Sequence, residues 1–171
     1  MLRGNLFNFS STSEIFESLK LQVFESLKLR RKHRYIIYKI GDSSIEVETI
    51  GARAETFQDF KTKLPYTDCR YGIFDQEYRT YDGRPASKIW FVSWLPVNSN
   101  PYNKMAYTSA KARFRESLPG VFDVQASRYS LLLLFLMYSS NNNSKINGSI
   151  EEIDIALGLG AEEEEDNEFD D

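Results

Sequence analysis

The stretch "SKIWFVSWLPVNSNPYNKMAYTSAKARFRESLPGVFDVQAS" (87–127) decides the fold. It opens on "KIWFVSWL" (88–95), an apolar run that reads as a central strand buried on both faces. Trp90 and Trp94 lie four apart and so share one face of it, packed in the core. Pro96 ends the strand, and Asn100-Pro101 supplies a helix cap followed by proline at the first helical position. The helix runs to about Leu118, where Pro119-Gly120 closes it, and "VFDVQAS" (121–127) returns as a strand. Strand, helix and strand following one another fit a mixed sheet covered by helices.

The faces of that helix separate cleanly. At roughly 100° per residue, Tyr107, Ala110, Phe114 and Leu118 make a buried stripe. Lys104, Thr108, Lys111 and Arg115 fall about a quarter-turn away, and Met105 and Ala112 continue that side outward. The expectation is an exposed face of three cations, a methionine and small residues. Such a face is either a solvated basic surface or a docking ridge for an acidic partner, with methionine supplying adaptable apolar contact.

Upstream, residues 14–29 read as a helix and "HRYIIYKI" (33–40) as a strand. "GDSS" (41–44) is turn chemistry, and "IEVETI" (45–50) alternates, with Ile45, Val47 and Thr49 on one side. "AETFQDFKTKL" (54–64) places Phe57, Phe60 and Leu64 at helical spacing before Pro65. "CRYGIFDQEY" (69–78) is a strand, and "YDGRPAS" (81–87) a turn that should pair it antiparallel with the next. The order predicts an α/β fold of the α+β type: a mixed five-stranded sheet sandwiched between helices. The expected organisation is a loose arm (1–13), one domain (14–138), then a polar linker and disordered acidic tail (139–171). After Ser127, "RYSLLLLFLMY" is a helix candidate whose apolar positions show no face.

The helix at 14–29 contains one octamer written twice, "IFESLKLQ" (15–22) and "VFESLKLR" (23–30). An offset of eight turns a helix by about 80°, so the copies cannot present the same face. Phe16 falls near the line of Val23 and Leu27, with Leu19 and Phe24 flanking it. The duplication therefore predicts a lengthened packed helix rather than a second binding site.

Composition narrows the function. The chain has 171 residues, 42% hydrophobic and 14% aromatic, which suits one domain with appendages. A single Cys (Cys69) and a single His (His33) exclude an internal disulfide, a cysteine-based zinc cluster and most triads. Cys69 reads as a small buried hydrophobe, and His33 as a solvent-side strand residue able to titrate near neutrality. There is no glycine-rich phosphate loop and no RNA-binding motif, so neither an enzyme nor a nucleic-acid module is expected, and no cofactor or metal.

The start of the chain lacks a secretory signal. The longest apolar run, "LLLLFLMY" (131–138), is far short of the about 20 residues of a spanning helix. A soluble intracellular protein is expected. Residues 1–140 hold 20 Lys/Arg against 14 Asp/Glu, a balance of +6, whereas residues 141–171 hold one Lys and 11 acids, a balance of −10. The basic body can meet an acidic protein surface, anionic lipid or nucleic acid. The acidic tail either solubilises the chain or clamps its basic face. "RRKHR" (30–34) is either a charged junction between helix and strand or a nuclear-import or lipid patch.

Four segments, "LKLRRKHRYIIYKI", "LPYTDCRYGIFDQEY", "SKIWFVSWLP" and "KMAYTSAKARFRESLPGVFDVQAS", resemble the actin-depolymerising factor/cofilin family. They run in order over residues 24–127, roughly 60% of the chain. The resemblance implies the actin-depolymerising factor homology fold and binding to actin monomers and filaments. It implies filament severing and depolymerisation driven by binding rather than catalysis, with a preference for ADP-bound actin and inhibition by phosphoinositide lipids. It implies a monomeric protein of the cytoplasmic actin cytoskeleton, with the nucleus as a second location.

Residue by residue, Lys104 and Met105 match the Lys-Met at the start of the family's long actin-binding helix, and Thr108, Ser109 and Lys111 match its small-small-Lys run. Ala112 and Arg115 complete the expected contact face, and Lys104, Lys111 and Arg115 are the candidate phosphoinositide cations. Where the family has a basic residue two places before the Lys, this chain has Tyr102. In the filament-binding hairpin the basic-Ser-Lys pattern becomes Ala86-Ser87-Lys88, with Arg84 upstream as a substitute cation. Arg128 replaces an acidic residue, and the C-terminal amphipathic helix is not recognisable after Ser127. Hydroxyls at 11–13 stand near the family's N-terminal phosphorylation site, but its motif is absent. These departures predict retained but weakened monomer binding and a larger loss of filament binding and severing. The alternative is a non-severing adaptor that holds monomers or lines filament sides.

Overall fold

The computed structural model describes residues 12–42 and 44–129, with side chains from residue 18. The expectations for the arm before residue 12, for Phe16 and for everything after residue 129 lie outside the described residues. Three helices, α1 (Thr12–Lys28), α2 (Phe57–Lys63) and α3 (Pro101–Glu116), accompany five strands: β1 (His33–Ile40), β2 (Ile45–Ala52), β3 (Arg70–Arg79), β4 (Pro85–Trp94) and β5 (Phe122–Ala126). The sheet order is β2-β1-β3-β4-β5. Every neighbouring pair is antiparallel except β4 with β5, which is parallel because α3 carries the chain back between them. The predicted mixed five-stranded sheet between helices is what forms.

Period-two alternation divides the core into two layers. On one side Phe24 and Leu27 of α1 and Tyr107 and Phe114 of α3 meet Ile36, Tyr38, Tyr71, Ile73 and Phe91 of the sheet. On the other, Phe60 and Leu64 meet Tyr35, Ile37, Phe74, Trp90, Val92, Trp94 and Val124. Trp90 and Trp94 share this second layer, as their spacing requires. Helix α2 seats close to the sheet because Gly72 has no side chain: a Cβ there would stand 2.6 Å from the Phe60 ring.

Two boundaries differ most from expectation. Helix α2 starts at Phe57 and not at residue 54, because Thr56 caps it in a reciprocal box with Asp59. Strand β4 starts at Pro85, so the turn is shorter than residues 81–87. Proline is tolerated there because residues 85–89 pair only with β3 among the described residues, leaving the other edge without a demand for an N–H donor.

The doubled octamer is one helix with two different environments. Leu27 is fully buried whereas its counterpart Leu19 is exposed, and Leu21 packs on the core whereas Leu29 is exposed. Leu19 therefore does not flank the packed line as expected. Its place is taken by Lys20, which stands four before Phe24 and seven before Leu27 and is only 5% exposed. The Lys20 ammonium lies 5.3 Å from the centre of the Phe114 ring. Its counterpart Lys28 donates to the carbonyl of Pro119 at 2.6 Å. The repeated lysine thus ties α1 to two levels of the α3 segment.

Arg31 ends α1 in the left-handed region, with φ 51°, while the N–H of Lys32 returns to the carbonyl of Ser26. A non-glycine residue is held there by its own side chain, which reaches Asp75, Glu77 and Ser87. Arg34 pairs with Glu77, and Arg53 pairs with both acids. Two cations of "RRKHR" are therefore satisfied within the fold. His33 is half-buried at the start of β1, and its carbonyl accepts from Arg53.

Burial alone pushes the Glu77 carboxyl up, but Arg31, Arg34 and Arg53 outweigh it and hold the group at about 2, below its ordinary 4.5. A carboxylate lowered in the folded state stabilises fully above pH 4.5, and that stability is lost as pH falls through about 2. Glu77→Gln is expected to be less stable than the parent at pH 7 and to lose less between pH 5 and 2. Urea midpoints across that range check it, and parallel curves for the two proteins would remove Glu77 from the acid limb.

Candidate functional site

The site is built on α3. Asn100 accepts from the N–H of Tyr102 and Pro101 follows it, so the helix starts where the cap and proline dictate. Tyr107 and Phe114 are buried, and Leu118 just beyond the helix is fully so. The Tyr107 hydroxyl accepts from the N–H of Ile40, and the Tyr71 hydroxyl donates to the Tyr107 carbonyl. Gly120, at φ 75°, turns the chain into β5. The helix is thus seated on the sheet by polar as well as apolar contacts.

The three cations of the expected exposed face are not free on it. Lys104 donates to the carbonyl of Val97 at 2.8 Å, Lys111 pairs with Asp123 at 3.1 Å, and Arg115 donates to the carbonyl of Val121 at 2.6 Å. All three are half-buried, because their stripe lies beside the packed stripe and their long side chains reach over the neighbouring segments. The outward ridge is instead Met105 (63% exposed), Thr108, Ser109, Ala112 and Arg113. Its residues are small or flexible, and the cations form its basic margin.

An acidic anchor holds the first turn of α3. Asp68 accepts from the Asn103 side chain at 3.1 Å, from the N–H of Cys69 at 2.8 Å and from Arg70 at 2.5 Å. Arg70 also pairs with Glu48 on β2. Burial raises the Asp68 carboxyl, but Arg70 and the donors around it hold it below the usual carboxylate range. Cys69 is buried with its sulfur 3.3 Å from the Ser99 hydroxyl, and burial pushes its thiol up.

Residues that spacing did not point to gather at the same end. Tyr66, Val97 and Tyr102 are exposed apolar side chains, Tyr102 at 77%. Tyr66 and Val97 line a hollow of about 350 Å³ with Trp94, Asn98, Arg128 and Tyr129. The signal was aromatic or branched residues among polar neighbours, Tyr66 and Val97 in loops and Tyr102 in the first turn of α3, which a periodicity search passes over.

Arg84 and Lys88 are not brought to the α3 ridge. Arg84 is highly exposed at the β3–β4 turn and pairs with Asp82 at 2.7 Å. Lys88 lies on the sheet face opposite α3, its ammonium 5.4 Å from the Trp90 ring centre and 5.1 Å from that of Phe122. Asp123, which meets Lys111, alternates with Phe122 and so faces the α3 side. The candidate residues therefore form two surfaces. Among the described residues no group of three His, Cys, Asp or Glu could hold a metal ion, and no helix is long and apolar enough to cross a membrane.

A sheet of this order, with two helices on one face, one on the other and a small-residue ridge on the longer crossover helix, defines a class. Residues 17–130 match the family model described as cofilin/tropomyosin-type actin-binding protein, and the chain belongs to that family. It is 42% identical over 119 residues to actin-depolymerizing factor 11 of Oryza sativa subsp. japonica, covering 68% of this chain and 82% of that protein. It is also 42% identical over 110 residues to actophorin of Acanthamoeba castellanii, covering 63% and 79%. The crystal structure of Streptomyces griseoflavus cofilin is similar at a TM-score of 0.63 and 29% identity, over 70% of this chain and 92% of that one.

Proposed function

We propose that this protein binds actin monomers and filaments and promotes filament depolymerisation and severing by binding rather than by catalysis. The observation that carries the reading is the α3 ridge. A rigidly seated helix offers Met105, Thr108, Ser109 and Ala112 outward, with Lys104, Lys111 and Arg115 already ordered along its margin. Ordered cations lose little entropy on meeting an acidic partner, so complementarity appears as affinity. The exposed Tyr66, Val97 and Tyr102 extend the same contact at the start of the helix. The second surface, Arg84 and Lys88, is the filament contact, and residues 14–138 are the working domain. The protein acts as a monomer on the cytoplasmic actin cytoskeleton. Phosphoinositide headgroups compete at Lys104, Lys111 and Arg115.

A second reading is favoured by the hairpin. Ala86 carries no charge, Arg84 is paired with Asp82, and Lys88 lies over two aromatic rings. A protein with this hairpin holds monomers or filament sides without breaking filaments. Filament co-sedimentation with imaging of filament length separates the two. Depolymerisation with new breaks along filaments is expected. Binding without breaks selects the adaptor, and neither binding nor shortening overturns both.

A further inference from the structure

Ser87 sits in a setting the actin contact does not explain. Its hydroxyl is exposed and accepts from the Arg31 guanidinium at 2.8 Å. It stands directly across the strand pair from Glu77. Arg31, Glu77, Arg79, Pro85 and Ser87 line an open hollow of about 670 Å³ on the α1 side of the sheet. The segment that carries Ser87 is extended, and in residues 85–89 it is paired on one edge only among the described residues. Arg84 lies three residues before it and is highly exposed.

We propose that Ser87 is a phosphorylation site for an arginine-directed protein kinase, and that Arg31 and Arg79 form the cradle that receives the phosphoryl group. The kinase transfers the γ-phosphoryl of ATP: the bond from the Ser87 Oγ to phosphorus forms, the bond to the β-phosphate oxygen breaks, ADP leaves, and the hydroxyl proton passes to the kinase base. An extended, single-edged segment with an exposed arginine just ahead of the hydroxyl is the shape such a kinase reads. The product is stabilised in place because a phosphoserine brings a charge of about −2 and three acceptor oxygens to an arginine already within hydrogen-bond distance.

The cradle can accept that charge without unpairing the acids beside it. Glu77 is also held by Arg34 and Arg53, and Asp75 by Arg53, so Arg31 can turn toward the phosphate. Among the described residues Arg79 donates only to the carbonyl of Gly83, a bond water can replace. The consequence rests on the filament reading given above. A dianion at Ser87 is one residue along the strand from Lys88, which points to the other sheet face, and three from Arg84, so it offsets the hairpin's positive charge, while the α3 cations keep their own partners at Val97, Asp123 and Val121. Phosphorylation would then switch filament binding off and leave monomer binding on.

The full chain is treated with ATP and the catalytic subunit of cAMP-dependent protein kinase, and sites are mapped by mass spectrometry. In parallel, phosphoserine is placed at position 87 by codon suppression. Phosphate is expected at Ser87, absent in Ser87→Ala and slowed at least fivefold in Arg84→Ala. In a ³¹P titration the second ionisation of the phosphoserine is expected at lower pH than in the Arg31→Ala protein, a test of the cradle that involves no actin. Phosphoserine at 87 is expected to weaken filament co-sedimentation at least tenfold and to change monomer affinity less than twofold. Absence of phosphate at Ser87 overturns the kinase site, and identical ³¹P curves overturn the cradle. Unchanged filament affinity overturns the switch. If the unmodified protein binds no filaments, the functional reading fails while the mapping and titration still decide the site.

Discussion

Phe114→Ala is expected to destabilise the protein by about 3–5 kcal/mol, the cost of an aromatic truncation in a core that cannot collapse around the space. Among the described residues the ring has four partners. It meets Tyr38 edge-on at 5.1 Å, Tyr71 at 5.2 Å and Phe91 at 5.8 Å, and the Lys20 ammonium stands 5.3 Å from its centre. Three of these partners come from three different strands, so no single shift closes the cavity. The loss of a face for Lys20 adds to the cost, since a buried ammonium needs the ring quadrupole or another partner. The midpoint of urea unfolding, at unchanged slope, measures the effect. A loss below about 1.5 kcal/mol, the size of a tolerated volume-conserving swap, would mean that α3 repacks freely. Actin affinity is expected to fall with it, because the ridge is only as well aimed as the helix that carries it.

Lys104→Ala combined with Lys111→Ala is expected to abolish actin binding and leave the circular dichroism spectrum unchanged. The structural bonds these cations make, to the Val97 carbonyl and to Asp123, are at half-exposed positions where water replaces them. At an interface the same cations meet charges that become buried, and removing one member of such a pair costs about 2–5 kcal/mol, or roughly 30-fold or more in the dissociation constant. Fluorescence titration of labelled actin monomers measures it. Unaltered affinity with an unchanged spectrum would remove α3 as the docking ridge. A lost spectrum would instead show that the pair with Asp123 holds β5 in place, and Lys104→Ala alone then isolates the contact.

Much of the fold was legible because its determinants are local. The cap at Asn100, the proline after it, the closing Pro119-Gly120 and the alternation of the strands each act within a few residues. Helix α2 was misplaced at its start because Thr56 and Asp59 form a capping box that competes with the apolar spacing upstream. The site was legible to the level of a helix face: angular arithmetic put Lys104, Lys111, Arg115 and Met105 on one side of α3. It could not show that the cations fold back. Whether a lysine at the edge of a buried stripe points to solvent depends on acceptors far away in sequence, such as Asp123.

By itself, then, the sequence determined the element order, the mixed sheet, the buried stripe of α3 and membership in an actin-binding family. Periodicity, caps and turn residues are near-neighbour physics, and the family motifs lie along the chain. The tertiary structure decided which cations are bound and which surfaces are separate. It turned Lys20 of the repeated octamer into a core residue, and it gathered Arg31, Arg34 and Arg53 around Asp75 and Glu77. Those outcomes depend on which distant segments the sheet brings together, and pairing across tens of residues leaves no period to read.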